Sequence, residues 1–134
     1  MNVFRDEWDE GEDWSGGGAK SRRLVGPGVQ LGATVYELGP GNFGVYHFHH
    51  GSEELLIVLS GRPTLRTPDG ERQLAEGEVV HFPNGPDGAH GVRNDTDEQV
   101  RFVVAGIRVS PEIVEYPDLK QITAQAQTES QTGE

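Results

Sequence analysis

The chain has 134 residues, with 22 Asp and Glu against 11 Lys and Arg, a formal net charge of −11, five histidines and no cysteine. A chain of this length makes one domain with a buried core. The charge excludes nucleic-acid phosphates and anionic membrane surfaces as partners, and the missing thiol excludes disulfides, a cysteine nucleophile and thiolate metal ligands.

Residues 1–20 are acidic and Gly-rich: over 1–13, Asp6, Glu7, Asp9, Glu10, Glu12 and Asp13 are opposed only by Arg5. Phe4, Trp8 and Trp14 need cover, so this arm is expected to pack over the body of the protein or over a partner subunit. The GGGAKS at 16–21 lacks the Gly before Lys, the preceding apolar strand and the following helix of a phosphate-binding loop, and reads as a linker. The opening MNVFRDEWDEGED has no basic and apolar stretch of the secretory kind, and no apolar run approaches the ~20 residues of a bilayer span. A cytoplasmic protein is expected.

A β-barrel domain is expected over 21–118, followed by a polar, disordered tail over 119–134. Short apolar segments cut by 19 Gly and 8 Pro argue for an all-β domain. The expected strands are 22–25 (closed by Gly26-Pro27-Gly28), 29–38, 43–50, 54–59, 77–83, 90–94 and 99–109. Residues 62–66 and 71–74 form a hairpin around Thr67-Pro68-Asp69-Gly70, and 113–117 is an edge strand or strap. In 54–59, Glu54, Leu56 and Val58 share one face and Leu55, Ile57 and Leu59 the other. Both faces are apolar, so both are covered, one by the interior and one by another sheet or subunit.

The chemistry concentrates in residues 41–61, GNFGVYHFHHGSEELLIVLSG. On a strand His47 and His49 share a face, roughly 6.6 Å apart along the chain. After the Gly51-Ser52 turn, Glu54 opens the next strand and its carboxylate can swing back toward them. Two imidazoles and a carboxylate are a ligand set for first-row divalent metals. His90 is a fourth candidate. His50 alternates with His49 and points to the opposite face, while His81 sits mid-strand beside Phe82 as a packing or hydrogen-bonding residue. Glu53 competes with Glu54 for the ligand role. Tyr36, Tyr46 and Phe102 read as core or interface aromatics, and no Gly-x-Ser-x-Gly elbow is present.

These residues resemble the two motifs of the cupin superfamily. Gly41, His47, His49, Glu54 and Gly61 match G(x)5HxH(x)3–4E(x)6G, and Glu53 would place Ser60 at the last position. Gly77, Pro83, Gly85, His90 and Asn94 match the second motif, except that four residues (Pro86, Asp87, Gly88, Ala89) separate Gly85 from His90 where the family has two. The resemblance implies a single double-stranded β-helix barrel of jelly-roll type. It implies one divalent transition metal (Mn, Fe, Ni, Co, Cu or Zn) on His47, His49, Glu54 and His90. Binding is expected to weaken toward pH ~6, where imidazole takes up a proton. The resemblance also implies a homodimer through the outer sheet face. Two functions remain open on sequence alone. One is a metal-dependent, dioxygenase- or isomerase-like enzyme for a small oxygen-bearing organic substrate, with His81 and Glu53 as the visible acid/base candidates. The other is a non-catalytic module that binds a metal or small ligand.

Overall fold

Turn residues cut this chain so often that no helical repeat can form, and period-two alternation between the turns drives the rest into strands. The structure, a computed structural model, describes residues 1–11, 18–26 and 30–125. Expectations for Trp14, for Gly16 and Gly17, for the Gly26-Pro27-Gly28 turn and for the end of the tail fall wholly or partly outside these residues. Eleven strands run through the described residues: β1 (Ala19–Arg23), β2 (Leu31–Leu38), β3 (Phe48–His49), β4 (Glu54–Ser60), β5 (Thr64–Thr67), β6 (Gly70–Gln73), β7 (Val79–Phe82), β8 (Gly91–Arg93), β9 (Val100–Ile107), β10 (Glu112–Tyr116) and β11 (Gln121–Gln125).

One sheet has the order β1-β2-β9-β4-β7. Facing it are two three-stranded sheets, β11-β10-β3 and β6-β5-β8, joined by the antiparallel bridge His47↔His90. All pairings are antiparallel, and the arrangement is a double-stranded β-helix. Inward-facing Leu38, Leu56, Val58, Leu65, Leu74 and Val100, each under 3 % exposed, fill the core between the layers. Complete burial of each such side chain is worth about 1.5–3 kcal/mol, which is why the alternation fixes which face turns inward.

Three local expectations are corrected. The first strand begins at Ala19 rather than Arg22, because Ala19 to Arg23 pairs in register with Leu38 to Thr34. The segment around 113–117 is neither an edge nor a strap: β10 lies between β3 and β11 and pairs with both. Residues 121–125, expected in the disordered tail, form β11, because a hairpin after Tyr116 offers this polar stretch a complete backbone ladder. Local composition carries no trace of that ladder.

The arm lies on its own barrel. Glu10 bridges to Ser21 of β1. Arg101 of β9 donates to the Val3 and Arg5 carbonyls and to Asp6 and Glu37, and the Trp8 ring lies 4.9 Å from its guanidinium carbon. This clasp covers only one end of the outer sheet face. At the other end Leu31, Leu55, Val79 and Ile107 are 41–57 % exposed. Among the described residues no helix is long and apolar enough to cross a membrane.

Candidate metal centre

The site is assembled from three connected segments on the inner surface. His47 sits just ahead of β3 and His49 within it, Glu54 opens β4, and His90 precedes β8. The alternation of β4 turns Glu54 inward and leaves Glu53 outside. Glu54 is 7 % exposed, His49 5 % and His90 4 %. Glycine makes the room for Glu54: its cross-strand partner is Gly106, where a Cβ would stand 2.9 Å from Glu54 Cγ.

The four side chains meet. His49 Nε2 lies 3.3 Å from Glu54 Oε2, and His90 Nε2 lies 3.3 Å from Glu54 Oε1. The His47 ring is 5.0 Å from that of His49 and 4.7 Å from that of His90. Donor atoms of His47, His49 and Glu54 fall within 4.8 Å of one another, and His90 joins this trio through Glu54 and His47.

The departure from the second motif is resolved by a single 3-10 turn, Pro86–Gly88. It absorbs the extra residues and tucks Gly88 beneath the Pro83 carbonyl, where a Cβ would come within 1.6 Å of the oxygen. His90 is thereby delivered inward, stacked on Phe82 at 3.7 Å between ring centroids. Asn94 of the same motif is structural: it donates to the Leu38 and Glu98 carbonyls and accepts from Thr96.

Backbone carbonyls set the tautomers. His47 Nδ1 is 2.8 Å from the Val45 carbonyl, and His90 Nδ1 is 2.9 Å from the Gly88 carbonyl. A carbonyl only accepts, so each Nδ1 carries the proton and each Nε2 of the neutral ring presents a lone pair. Beside His49 stands a carboxylate: Glu112 Oε1 lies 3.1 Å from its Nδ1, a charge contact rather than an aligned hydrogen bond, and Ser52 Oγ lies 3.3 Å from the other Glu112 oxygen. Lone pairs facing carboxylate oxygens at 3.3 Å repel unless positive charge lies among them, from a bound ion or, in the metal-free chain, from a ring proton donated to Glu54. That separation also suits neighbouring donors on one ion with bonds of about 2.1 Å. The donor set fits a divalent metal. Glu112, 58 residues from Glu54 along the chain, has no sequence signal, because only the β10–β3 pairing brings it to His49.

Glu53 and His81 are absent from this cluster. They bind each other at 2.6 Å on the outer surface, each more than half exposed, so neither serves as an acid or base at the site. His50 is also outside, 3.0 Å from Glu115. Tyr46 lies under Arg66, whereas Tyr36 and Phe102 stack at 5.4 Å as a wall of an internal cavity. The cavity measures about 460 Å3, and His47, His90 and Tyr116 are among the residues that line it. Tyr116, its ring 6.0 Å from His47, is a further site residue brought by β10 that the sequence reading missed.

Burial, and then the neighbouring His90, push the His47 imidazole down from 6.5 to about 4. Proton competition at this ligand therefore sets in well below the pH ~6 expected for an ordinary histidine. Burial raises the Glu54 carboxyl, but His49 and His90 outweigh it and hold it below the usual carboxylate range. Between pH 6.5 and about 4 the unfolded chain carries a proton at position 47 that the folded chain refuses, so metal-free stability falls as pH falls, by roughly 3 kcal/mol at most. The lowered Glu54 acts in the same direction at lower pH, its contribution being present above the unfolded value and lost as pH drops through the folded one. Denaturant midpoints of metal-free protein at pH 7, 6, 5 and 4 test this. A flat profile, or His47→Asn protein with an unchanged slope, contradicts it.

A family model for the cupin domain matches residues 34–106, more than half of the chain. The chain belongs to the cupin family. This cupin is also similar to solved structures. One is a sugar phosphate isomerase from a cupin superfamily of Silicibacter pomeroyi, 28 % identical, with TM-score 0.74 over 81 % of this chain and 71 % of that one. Another, named provisionally as a sugar phosphate isomerase from Acidithiobacillus ferrooxidans, is 31 % identical, with TM-score 0.68 over 78 % of this chain and 64 % of that one. The polyketide cyclase RemF from Streptomyces resistomycificus is 25 % identical, with TM-score 0.61 over 70 % and 68 %. A comparison with curated proteins finds no match.

Proposed function

We propose that this cupin holds one divalent transition metal on His47, His49, Glu54 and His90 and is a metal-dependent enzyme for a small, oxygen-bearing organic substrate. The observation that carries this reading is the position of the donor set. Two of the four donors line the cavity, while His49 and Glu54 are buried behind them. Four protein donors leave one or two positions on a five- or six-coordinate ion. A bound ion supplies Lewis acidity, polarising a substrate carbonyl or hydroxyl oxygen. The chain does the rest. The Val45 and Gly88 carbonyls hold the His47 and His90 protons away from the ion, Glu112 favours the same orientation of His49 by its charge, and Tyr36, Phe102 and Val104 exclude water from the substrate. Similarity to an isomerase and a cyclase supports an enzyme of this general kind.

A second reading, a binding module without turnover, is favoured by the removal of Glu53 and His81 from the site. Metal content of protein from its native host, followed by a substrate screen of the loaded chain, separates the two. Turnover is expected to disappear on chelation and to fall far more in Glu54→Gln than in Glu53→Gln. Turnover that survives complete chelation defeats the enzyme mechanism, and ligands bound but never converted favour the module.

We also infer that the uncovered end of the outer sheet, with Leu55, Val79 and Ile107 exposed, pairs with a second copy of the chain. Light scattering at micromolar concentration is expected to give the dimer mass and, for Leu55→Glu, the monomer mass. A monomeric parent chain contradicts the pairing.

A further inference from the structure

We infer that the cavity of this cupin takes an uncharged, flat, largely hydrocarbon molecule whose oxygen functions are gathered at one end, and that it rejects phosphorylated sugars. The inference deepens the proposed function and rests on it only for which end of the ligand faces His47 and His90. The walls carry the first part. Tyr36 of β2 and Phe102 of β9 are cross-strand partners whose rings stack at 5.4 Å and 24°, a flat surface continued by Leu38 and Val104 and faced by Val92 of the opposite sheet. All five are less than a tenth exposed. A hydrocarbon face laid on such a wall gains about 25 cal/mol for each Å2 removed from water. A sugar on the same wall meets only the Tyr36 and Thr34 hydroxyls, and each further hydroxyl that loses its water without a partner costs about 1–3 kcal/mol.

The two ends carry the second part. Besides the histidines, Tyr36, Tyr116 and Thr34, the polar lining is Asp9, Glu10, Ser21 and Arg23, of which Asp9 and Arg23 are exposed and so mark a mouth of the cavity. A sugar phosphate with its carbonyl toward the histidines places its phosphate at this mouth. Among the described lining residues Arg23 is the one permanent cation, and it shares the rim with two carboxylates, one of which, Asp9, accepts a hydrogen bond from the Arg23 backbone N–H at 2.8 Å. Phosphate recognition needs a surplus of cationic or backbone donors. This rim has a surplus of carboxylates, contributed by the arm that the Arg101 clasp holds down. The named activity of the sugar phosphate isomerase from Silicibacter pomeroyi therefore does not extend to this cavity.

The test uses the full chain, metal-free and zinc-loaded, with 1-hydroxy-2-acetonaphthone, an uncharged bicyclic hydroxyketone, against ribose 5-phosphate and inorganic phosphate. Calorimetry is expected to give a dissociation constant of about 10 µM or tighter for the naphthone, already in the metal-free chain, and no saturable binding of either phosphate at ~1 mM. Val45→Trp, which narrows the cavity from a position outside the main apolar cluster, is expected to weaken the naphthone at least about tenfold, with circular dichroism confirming the fold. Val45→Phe replaces it if the tryptophan variant does not fold. Ribose 5-phosphate binding more tightly than the naphthone overturns the inference, as does naphthone binding that a folded Val45 variant leaves unchanged. Zinc content of the same samples keeps the two readings apart. A chain that takes no zinc yet binds naphthone in the cavity loses the metal and keeps this inference, and one that takes zinc and prefers ribose 5-phosphate loses only this inference.

Discussion

His49→Ala protein is expected to retain less than about a tenth of the metal bound by the parent chain after dialysis, with affinity weakened a hundredfold or more. Four protein ligands to a structural zinc together give apparent binding free energies of about 10–16 kcal/mol, so losing one of four costs about 3 kcal/mol. His49 is the histidine with a carboxylate at each ring nitrogen. Its Nε2 lies 3.3 Å from Glu54, and Glu112 stands 3.1 Å from its Nδ1. A graded series follows from that arrangement. Glu112→Ala is expected to weaken zinc about 10- to 100-fold, as removing an orienting partner does, and Glu112→Gln less, because the amide oxygen can still accept from Nδ1. Glu115→Gln, on the same strand but bound to the exposed His50, is the control and should change nothing. Zinc titration by competition with a chromophoric chelator measures all four. Parent-like zinc content in His49→Ala removes the proposed centre, and Glu112 variants indistinguishable from Glu115→Gln remove the orienting role.

Gly88→Ala is expected to destabilise the protein by about 3 kcal/mol or more and to lower its melting temperature by roughly 10 °C. The added Cβ would lie 1.6 Å from the Pro83 oxygen and 2.8 Å from its carbonyl carbon, both backbone atoms that no side-chain rotation can move. The turn has to open, and with it goes the Gly88 carbonyl that orients His90. Metal affinity should fall along with stability. Gly85→Ala, three residues earlier, isolates the effect. Its φ of 85° and ψ of −176° lie in a region essentially confined to glycine, but nothing stands within 4 Å of its Cβ, so it carries only that backbone penalty of about 1–3 kcal/mol. Thermal melts of the two variants with and without zinc make the comparison. Equal melting temperatures would mean that the close packing under Pro83 does not constrain the loop.

Much of the site was legible because strand alternation is a local rule. His47 and His49 fall on one face and His50 on the other from their spacing alone, while Glu54 was separated from Glu53 by the six-residue step to Gly61 of the first motif. The all-β class followed from turn residues recurring between short apolar segments, and the 62–74 hairpin from its Pro-Asp-Gly turn, which closes between Thr67 and Gly70. Both need only a few neighbouring residues to be decided.

Contacts between distant segments were decided by the tertiary structure. Glu112 and Tyr116 belong to the site because β10 pairs with β3, and β11 exists because β10 offers it a ladder. Neither pairing leaves a mark on the composition of its own segment. The arm folds onto its own barrel because Arg101, on the outer face of β9, collects carbonyls and a carboxylate from residues almost a hundred positions away. Glu53 and His81, the two acid/base candidates that the sequence offered, bind each other on the outside, since the registers of β4 and β7 carry both away from the interior. Period two determines which way a side chain faces along its own strand. Strand register across the sheets, set by burial of Leu38, Leu56 and Val100 at long range, determines what that side chain meets.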